Sequence, residues 1–150
     1  MSQLTEDNLF DRITDALDPL YQVVFFYGET ELLSSKMDRL TQCYLKKHQN
    51  SKIECISAET FTTGMIKSVK YGIADSHPIC FRDCDFLVLK DFQQYGGKEA
   101  SMQELYYILD WRLLLHKPFV ICSDRKPNEI PNLSDRLLTI LEGGLIYRYY

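Results

Sequence analysis

Hydrophobic and polar positions along the chain switch repeatedly between two periods. Residues 8–17 set Leu9, Phe10, Ile13, Ala16 and Leu17 at helical spacing, which predicts a short amphipathic helix. Asp18-Pro19 ends it, because the proline ring disfavours helical geometry in the residue before it. Residues 22–27 (QVVFFY) form a continuous apolar run closed by Gly28, the pattern of a strand buried on both faces. A helix over about 35–48 follows, with Met37, Leu40 and Tyr44 on one face and Lys46, Lys47 and His48 at its C-terminal end, where positive charge suits the helix dipole. Residues 52–57 (KIECIS) read as a strand, 61–71 as a helix, and Ser76-His77-Pro78 as a loop. Residues 85–90 (DFLVLK) and 118–123 (PFVICS) are two further strands. Between them lies the clearest helix, 99–115, with Met102, Leu105, Tyr106, Leu109 and Leu113 as its stripe. A short helix over 135–141 and a strand over 145–149 complete the chain.

Strands that alternate with helices predict an α/β fold, a parallel sheet covered by helices on both faces. Its crossovers should be right-handed, and 150 residues suffice for one domain with a real core. No internal repeat or low-complexity stretch interrupts the pattern.

Composition narrows the partners. With 45% hydrophobic and 13% aromatic residues the chain is globular, and its formal charge of -4 argues against a broad basic surface for nucleic acid. No apolar run reaches the roughly 20 residues needed to cross a bilayer, and the acidic residues Glu6, Asp7, Asp11, Asp15 and Asp18 do not suit a targeting peptide, so a cytoplasmic protein is expected. Cys43, Cys55, Cys80, Cys84 and Cys122 are an odd set with no zinc spacing, which points to reduced thiols and no metal site. His48, His77 and His116 lie near no such cluster.

The turn after the first strand is where a phosphate-binding loop would sit. In its working form, G-x-x-x-x-G-K-[ST], glycines let backbone N–H groups wrap phosphates, the lysine neutralises them and the hydroxyl holds Mg²⁺. Here the segment reads Gly28-Glu29-Thr30-Glu31-Leu32-Leu33-Ser34-Ser35. The second glycine is Leu33, the lysine is Ser34, and Glu29 and Glu31 bring negative charge to where a triphosphate would lie. Lys36 comes two positions late and should point elsewhere, and Ser35 reads as a helix N-cap. After the third strand, where an NTPase places acids for Mg²⁺ and the attacking water, the chain has Lys90-Asp91. The lysine reverses the charge at the metal position, and Asp91 reads as a polar residue at a strand end.

The second half carries a resemblance. The strand running into Asp91-Phe92-Gln93, then Gly97-Lys98-Glu99 before a helix with Gln103-Glu104, Ser123-Asp124-Arg125 after the next strand, and Ile130-Pro131-x-Leu133-x-Asp135-Arg136-Leu137 leading to Gly144-Leu145 resemble the AAA+ domain of the bacterial replication initiator DnaA and of its short regulatory relatives. The first half resembles it more loosely, through Phe26-Tyr27-Gly28 and Ser57-Ala58-Glu59-x-Phe61. The resemblance implies a three-layer P-loop core with a five-stranded parallel sheet. Its 22–27 strand would lie between 118–123 and 145–149, with 85–90 and then 52–57 continuing outward from 118–123. It also implies a place near the start of DNA replication.

The departures from that family set the functional expectation. The family's arginine finger falls on Ile140, although Arg136 is kept. An arginine finger supplies several kcal/mol of transition-state stabilisation. With the broken loop and Lys90, its loss implies no ATPase activity and no nucleotide cofactor. The degenerate nucleotide end then comprises Gly28, Ser34, Ser35, Lys90, Asp91, Asp124, Arg136 and Ile140. The chain carries neither the family's helical lid nor its helix-turn-helix domain, so duplex DNA recognition by that route is not expected.

Three functions remain in view. One is a regulator acting by protein–protein contact on another replication protein, DnaA itself among the candidates. The second is an accessory that binds single-stranded DNA, for which the resemblance points to Ile66 and Lys98, with Lys67 and Lys70 adding charge and Ala100 standing where a basic residue is common. The third is a nucleotide sensor without hydrolysis. Tyr147 and Tyr149 share one face of a strand and read as packing, while the edge that a lid would cover, near Tyr150, offers a place for self-association.

Overall fold

The computed structural model describes residues 3–15, 19–71 and 76–149, of which 3–5, 65–71 and 76–79 are described by backbone alone. Among the described residues there are five strands: β1 (Val23–Gly28), β2 (Ile53–Ser57), β3 (Phe86–Lys90), β4 (Phe119–Ser123) and β5 (Leu145–Tyr149). All pair in parallel, in the order β2-β3-β4-β1-β5. That is the order the resemblance implies. The apolar runs are continuous because their side chains alternate between two cores. Val23 and Phe25, Leu87 and Leu89, and Phe119 and Ile121 enter one core; Val24 and Phe26, Phe86 and Val88, and Val120 and Cys122 enter the other. A parallel sheet covered on both faces needs this.

Six helices supply the outer layers: α1 (Gln3–Asp15), α2 (Thr30–Lys47), α3 (Ala58–Tyr71), α4 (Ser76–Asp83), α5 (Glu99–Leu114) and α6 (Asp135–Glu142). Helices α1 and α2 cover one face through Leu9, Phe10, Ile13, Leu33, Met37, Leu40 and Tyr44. Helices α3 to α6 contribute to the opposite core through Phe61, Phe81, Leu105, Leu109, Leu137 and Leu141. Tyr147 stacks on Phe26 at 5.7 Å and Tyr149 meets the same ring edge-on, so these tyrosines pack as expected. Positions 16–18 and 150 of the sequence reading lie outside the described residues.

Two expectations change. The loop foreseen at Ser76-His77-Pro78 is the start of α4. A proline in the first helical turn costs nothing there, because its missing N–H would have had no intrahelical acceptor. Helix α2 begins at Thr30 instead of near residue 35, so Ser35 is an interior residue and not the N-cap. Glu29 is the cap, its carboxylate accepting from the backbone N–H groups of Glu31 at 3.0 Å and Leu32 at 2.8 Å. Leu33, at the second-glycine position of a phosphate loop, is 1% exposed and continues the stripe to Met37, Leu40 and Tyr44. Burial of that side chain commits the segment to helix, where a glycine would have left it free to wrap an anion.

Candidate functional site

In a parallel α/β sheet the carboxyl ends of the strands frame the crevice in which ligands bind. Here that edge holds Gly28 at the end of β1, Lys90 and Asp91 at the end of β3, and Asp124 just past β4. Gly28 is required by the sheet itself. A Cβ at this position would lie 2.4 Å from the carbonyl oxygen of Tyr149, its neighbour on β5. Backbone that close must move, so Gly28→Ala is expected to cost about 1–3 kcal/mol, as overpacking does. The urea midpoint of the variant reports the cost, and an unchanged midpoint would show that β5 can yield there.

The start of α2 meets the chain's own charge. The N-terminus of a helix attracts anions through its unpaired N–H groups. In α2 two of those groups are already taken by the Glu29 carboxylate. The end of β3 is occupied in the same manner. Lys90 Nζ lies 3.0 Å from Ser34 Oγ and 2.7 Å from Asp38 Oδ1. Burial works against the Lys90 charge, but the hydrogen bond to Asp38 and the charge of that carboxylate hold its pKa above the ordinary lysine value. The cation thus stands at the sheet edge, and a neutral hydroxyl and a carboxylate face it from the helix.

The remaining candidates separate. Asp91 takes a left-handed backbone (φ 55°) and makes no side-chain cap to the 3₁₀ turn Phe92–Tyr95 that follows it. Asp124 is held by its own neighbour, with Arg125 Nε and Nη2 donating to its two carboxylate oxygens at 2.7 and 3.0 Å. Arg136, on the first turn of α6, lies over the Tyr106 ring at 5.1 Å and lines a cleft of about 500 Å³ with Gln103 and Asn132. Ile140 is half-buried against the core under α6. Lys98 and Ala100 are exposed at the start of α5, whereas the side chains of Ile66, Lys67 and Lys70 lie outside the described residues. Cys122, buried beneath the edge, has its thiol pushed up to about 12 by desolvation and stays neutral. Among the described residues no cluster of His, Cys, Asp and Glu is arranged to hold a metal ion.

Sequence reasoning placed Lys36 off the site, and it is: its Nζ lies 3.0 Å from Glu6 of α1. It placed the charge of Glu29 here but not its role as the cap of α2, and it missed Asp38 and Glu6. Asp38 had a signal, because it follows Ser34 by four residues and so shares its helix face. Glu6 had none, since its partners come from distant parts of the chain.

The family of bacterial DnaA ATPase domains matches residues 7–148. The chromosomal replication initiator DnaA of Symbiobacterium thermophilum is 35% identical over 84% of the chain, and that of Thermoanaerobacter sp. strain X514 is 32% identical over the same share. The chain spans less than a third of either relative, 28% and 29% of their lengths. A replication initiator DnaA bound to AMPPCP and single-stranded DNA superposes with a TM-score of 0.87 at 27% identity, over 97% of this chain and 45% of that one. A DnaC helicase loader shares the fold alone, with a TM-score of 0.80 at 11% identity. No helix among the described residues is long and apolar enough to cross a membrane. By sequence match and by fold together, this chain belongs to the bacterial DnaA ATPase-domain family.

Proposed function

We propose that this chain is a DnaA-like domain that acts in the initiation of DNA replication by contacting another replication protein, and that it neither hydrolyses nor needs a nucleotide. The observation that carries this reading is the self-filled site: Glu29 caps the anion end of α2, and Lys90, bound to Ser34 and Asp38, sits where a metal would be held. A triphosphate entering here would displace one carboxylate and meet Ser34 in place of a lysine, with Lys36 already paired to Glu6. Mg²⁺ would meet an ammonium group. The same internal charges keep the fold assembled without a ligand, which suits a domain used for its surface. Such a domain could cap an initiator assembly that grows by head-to-tail contacts, offering one compatible face and no nucleotide to transmit.

A ligand bound only by the folded state stabilises it, by about 2.7 kcal/mol at a hundredfold excess over Kd. Millimolar Mg²⁺-ATP or Mg²⁺-ADP is therefore expected to leave the melting temperature unchanged. The pair S34K with K90D is expected to leave it unresponsive too, because α2 still starts at Thr30. A rise of several degrees in the unaltered protein would overturn the reading and favour the nucleotide-sensor alternative. Pull-down with purified DnaA and other replication proteins tests the partner half of the proposal.

A second reading, single-stranded DNA binding, draws on the ligand of the similar initiator structure and on the exposed Lys98. It would show as salt-dependent retardation of oligonucleotides that Lys98→Glu weakens.

A further inference from the structure

Helix α5 is apolar on both sides. Leu105, Ile108 and Leu109 face the core, yet Tyr107, Trp111, Leu114 and Leu115 are 53, 38, 70 and 45% exposed. Their spacing of four, three and one places them on a single outward stripe over two turns. A helix that only covers a sheet would carry polar residues there. We propose that this stripe is a homodimer interface, in which α5 of one copy packs antiparallel on α5 of a second copy across a two-fold axis near Trp111.

The stripe's own symmetry suggests the second copy. Tyr107 and Leu115 lie four residues on either side of Trp111. An antiparallel pair centred there therefore sets Tyr107 of each copy against Leu115 of the other and the two Trp111 rings at the axis. This is the self-complementary patch that a two-fold contact requires. The rim is balanced: Arg82 lies over Trp111 at 4.8 Å and is paired with Asp83, Lys117 donates to the Asp83 carbonyl, and Asp110 is exposed. Such a rim gives no purchase to a strongly acidic or basic partner but can match itself. With these exposures and side chains of about 150–250 Å² each, the patch is on the order of 400 Å². That is a fitting apolar centre for a dimer that buries ~800 Å² per partner once its polar rim is included.

The position has a consequence. As the crossover between β3 and β4, α5 runs against the strands, so its C-terminal half lies at the end of the sheet opposite Lys90 and Glu29. The dimer would leave both self-filled edges facing outward. It does not depend on the regulatory reading, and it uses a different surface from the edge near Tyr150.

Trp111 is the sole tryptophan of the chain, so its fluorescence reports this surface alone. Sedimentation equilibrium from low micromolar to several hundred micromolar is expected to show monomer and dimer, with Trp111 emission moving to shorter wavelength as dimer forms and little dependence on salt. Leu114→Glu, at the most exposed position, should weaken association at least about tenfold, or 1.4 kcal/mol, with unchanged circular dichroism. Leu45→Glu, at an exposed leucine on α2, should leave association intact. A chain monomeric throughout, a dimer that survives Leu114→Glu, or one equally lost with Leu45→Glu would each overturn the proposal.

Discussion

Replacing Arg112 with leucine or methionine is expected to remove about 3–5 kcal/mol of stability, as when one partner of a buried charged contact is taken away. Of a typical total of about 5–15 kcal/mol this is a large part, and it corresponds to a fall in melting temperature on the order of 10 °C for a chain of this size. Arg112 sits on α5 with 0% exposure, and among the described residues it forms no salt bridge, only a weaker interaction with the charge of Asp85. Its guanidinium instead gathers backbone carbonyls. Nη1 donates to Phe81 at 3.1 Å and Cys84 at 2.6 Å, and Nη2 donates to Pro118 at 2.6 Å. Those carbonyls end α4, lead into β3 and precede β4, so one side chain fixes the spacing of two neighbouring strands at their amino ends. Desolvation lowers the pKa of the guanidinium, but an arginine remains charged. Its forked donors account for the choice of residue. A lysine has one ammonium centre and cannot reach both groups of carbonyls, so Arg112→Lys should recover less than half of the loss. Urea titration of the three proteins provides the comparison, and a methionine variant within 1 kcal/mol of the unaltered chain would show that water replaces the guanidinium at no cost.

Arg112 also shows where periodicity misleads. It lies three residues after Leu109 and four after Ile108, on the core face of α5, yet a charged residue is read as solvent-facing because isolated charges are almost never buried. Its carbonyl partners are backbone atoms, which no sequence pattern reveals. Trp111 and Leu114 depart from the pattern in the opposite sense, apolar residues that stay outside the core. The three central strands, β1, β3 and β4, were legible because their runs are apolar on both faces, and the sheet order followed from the resemblance in the second half. The start of α2 was missed because the phosphate-loop frame set the expectation of a loop. The residues themselves argued otherwise: no glycine between Glu29 and Ser35, an acid at the cap, and Leu33 in register with Met37 and Leu40. The departures from the phosphate-loop pattern were legible in the sequence. That Lys90 meets Ser34 and Asp38 required the geometry, because Lys90 and Ser34 are separated by 56 positions.

The second large effect is expected at Glu6. Replacing it with alanine should cost about 2–3 kcal/mol, the scale of a buried charged hydrogen-bond acceptor lost with its partners left behind. Glu6 is 4% exposed on α1 and accepts from three sides: Lys36 at 3.0 Å, Arg39 at 2.6 Å, and the hydroxyl of Tyr149 at the end of β5. Lys36 and Arg39 are 25 and 38% exposed and can turn to water, so most of the cost falls on the buried tyrosine hydroxyl and on lost packing of α1. Glu6→Gln keeps an acceptor for Tyr149 and should cost about half as much. Tyr149→Phe removes the donor, and combining it with Glu6→Ala should cost less than the sum, because the two groups share one bond. This cluster joins α1, the first turns of α2 and β5, the elements around Gly28. It bears on the proposed function through Lys36, the helix lysine next after Ser34, which Glu6 and the Tyr149 ring hold against α1 and β5. If the double-mutant cycle shows strict additivity, Glu6 and Tyr149 are not coupled, and the edge at Gly28 must be held by the sheet alone. If coupling exceeds about 1 kcal/mol, α1 is part of what keeps α2 helical from Thr30 onward, and removing it should loosen the Glu29 cap. Hydrogen exchange at the amides of Glu31 and Leu32 in Glu6→Ala would then be faster than in the unaltered protein, with the amides of β4 unaffected.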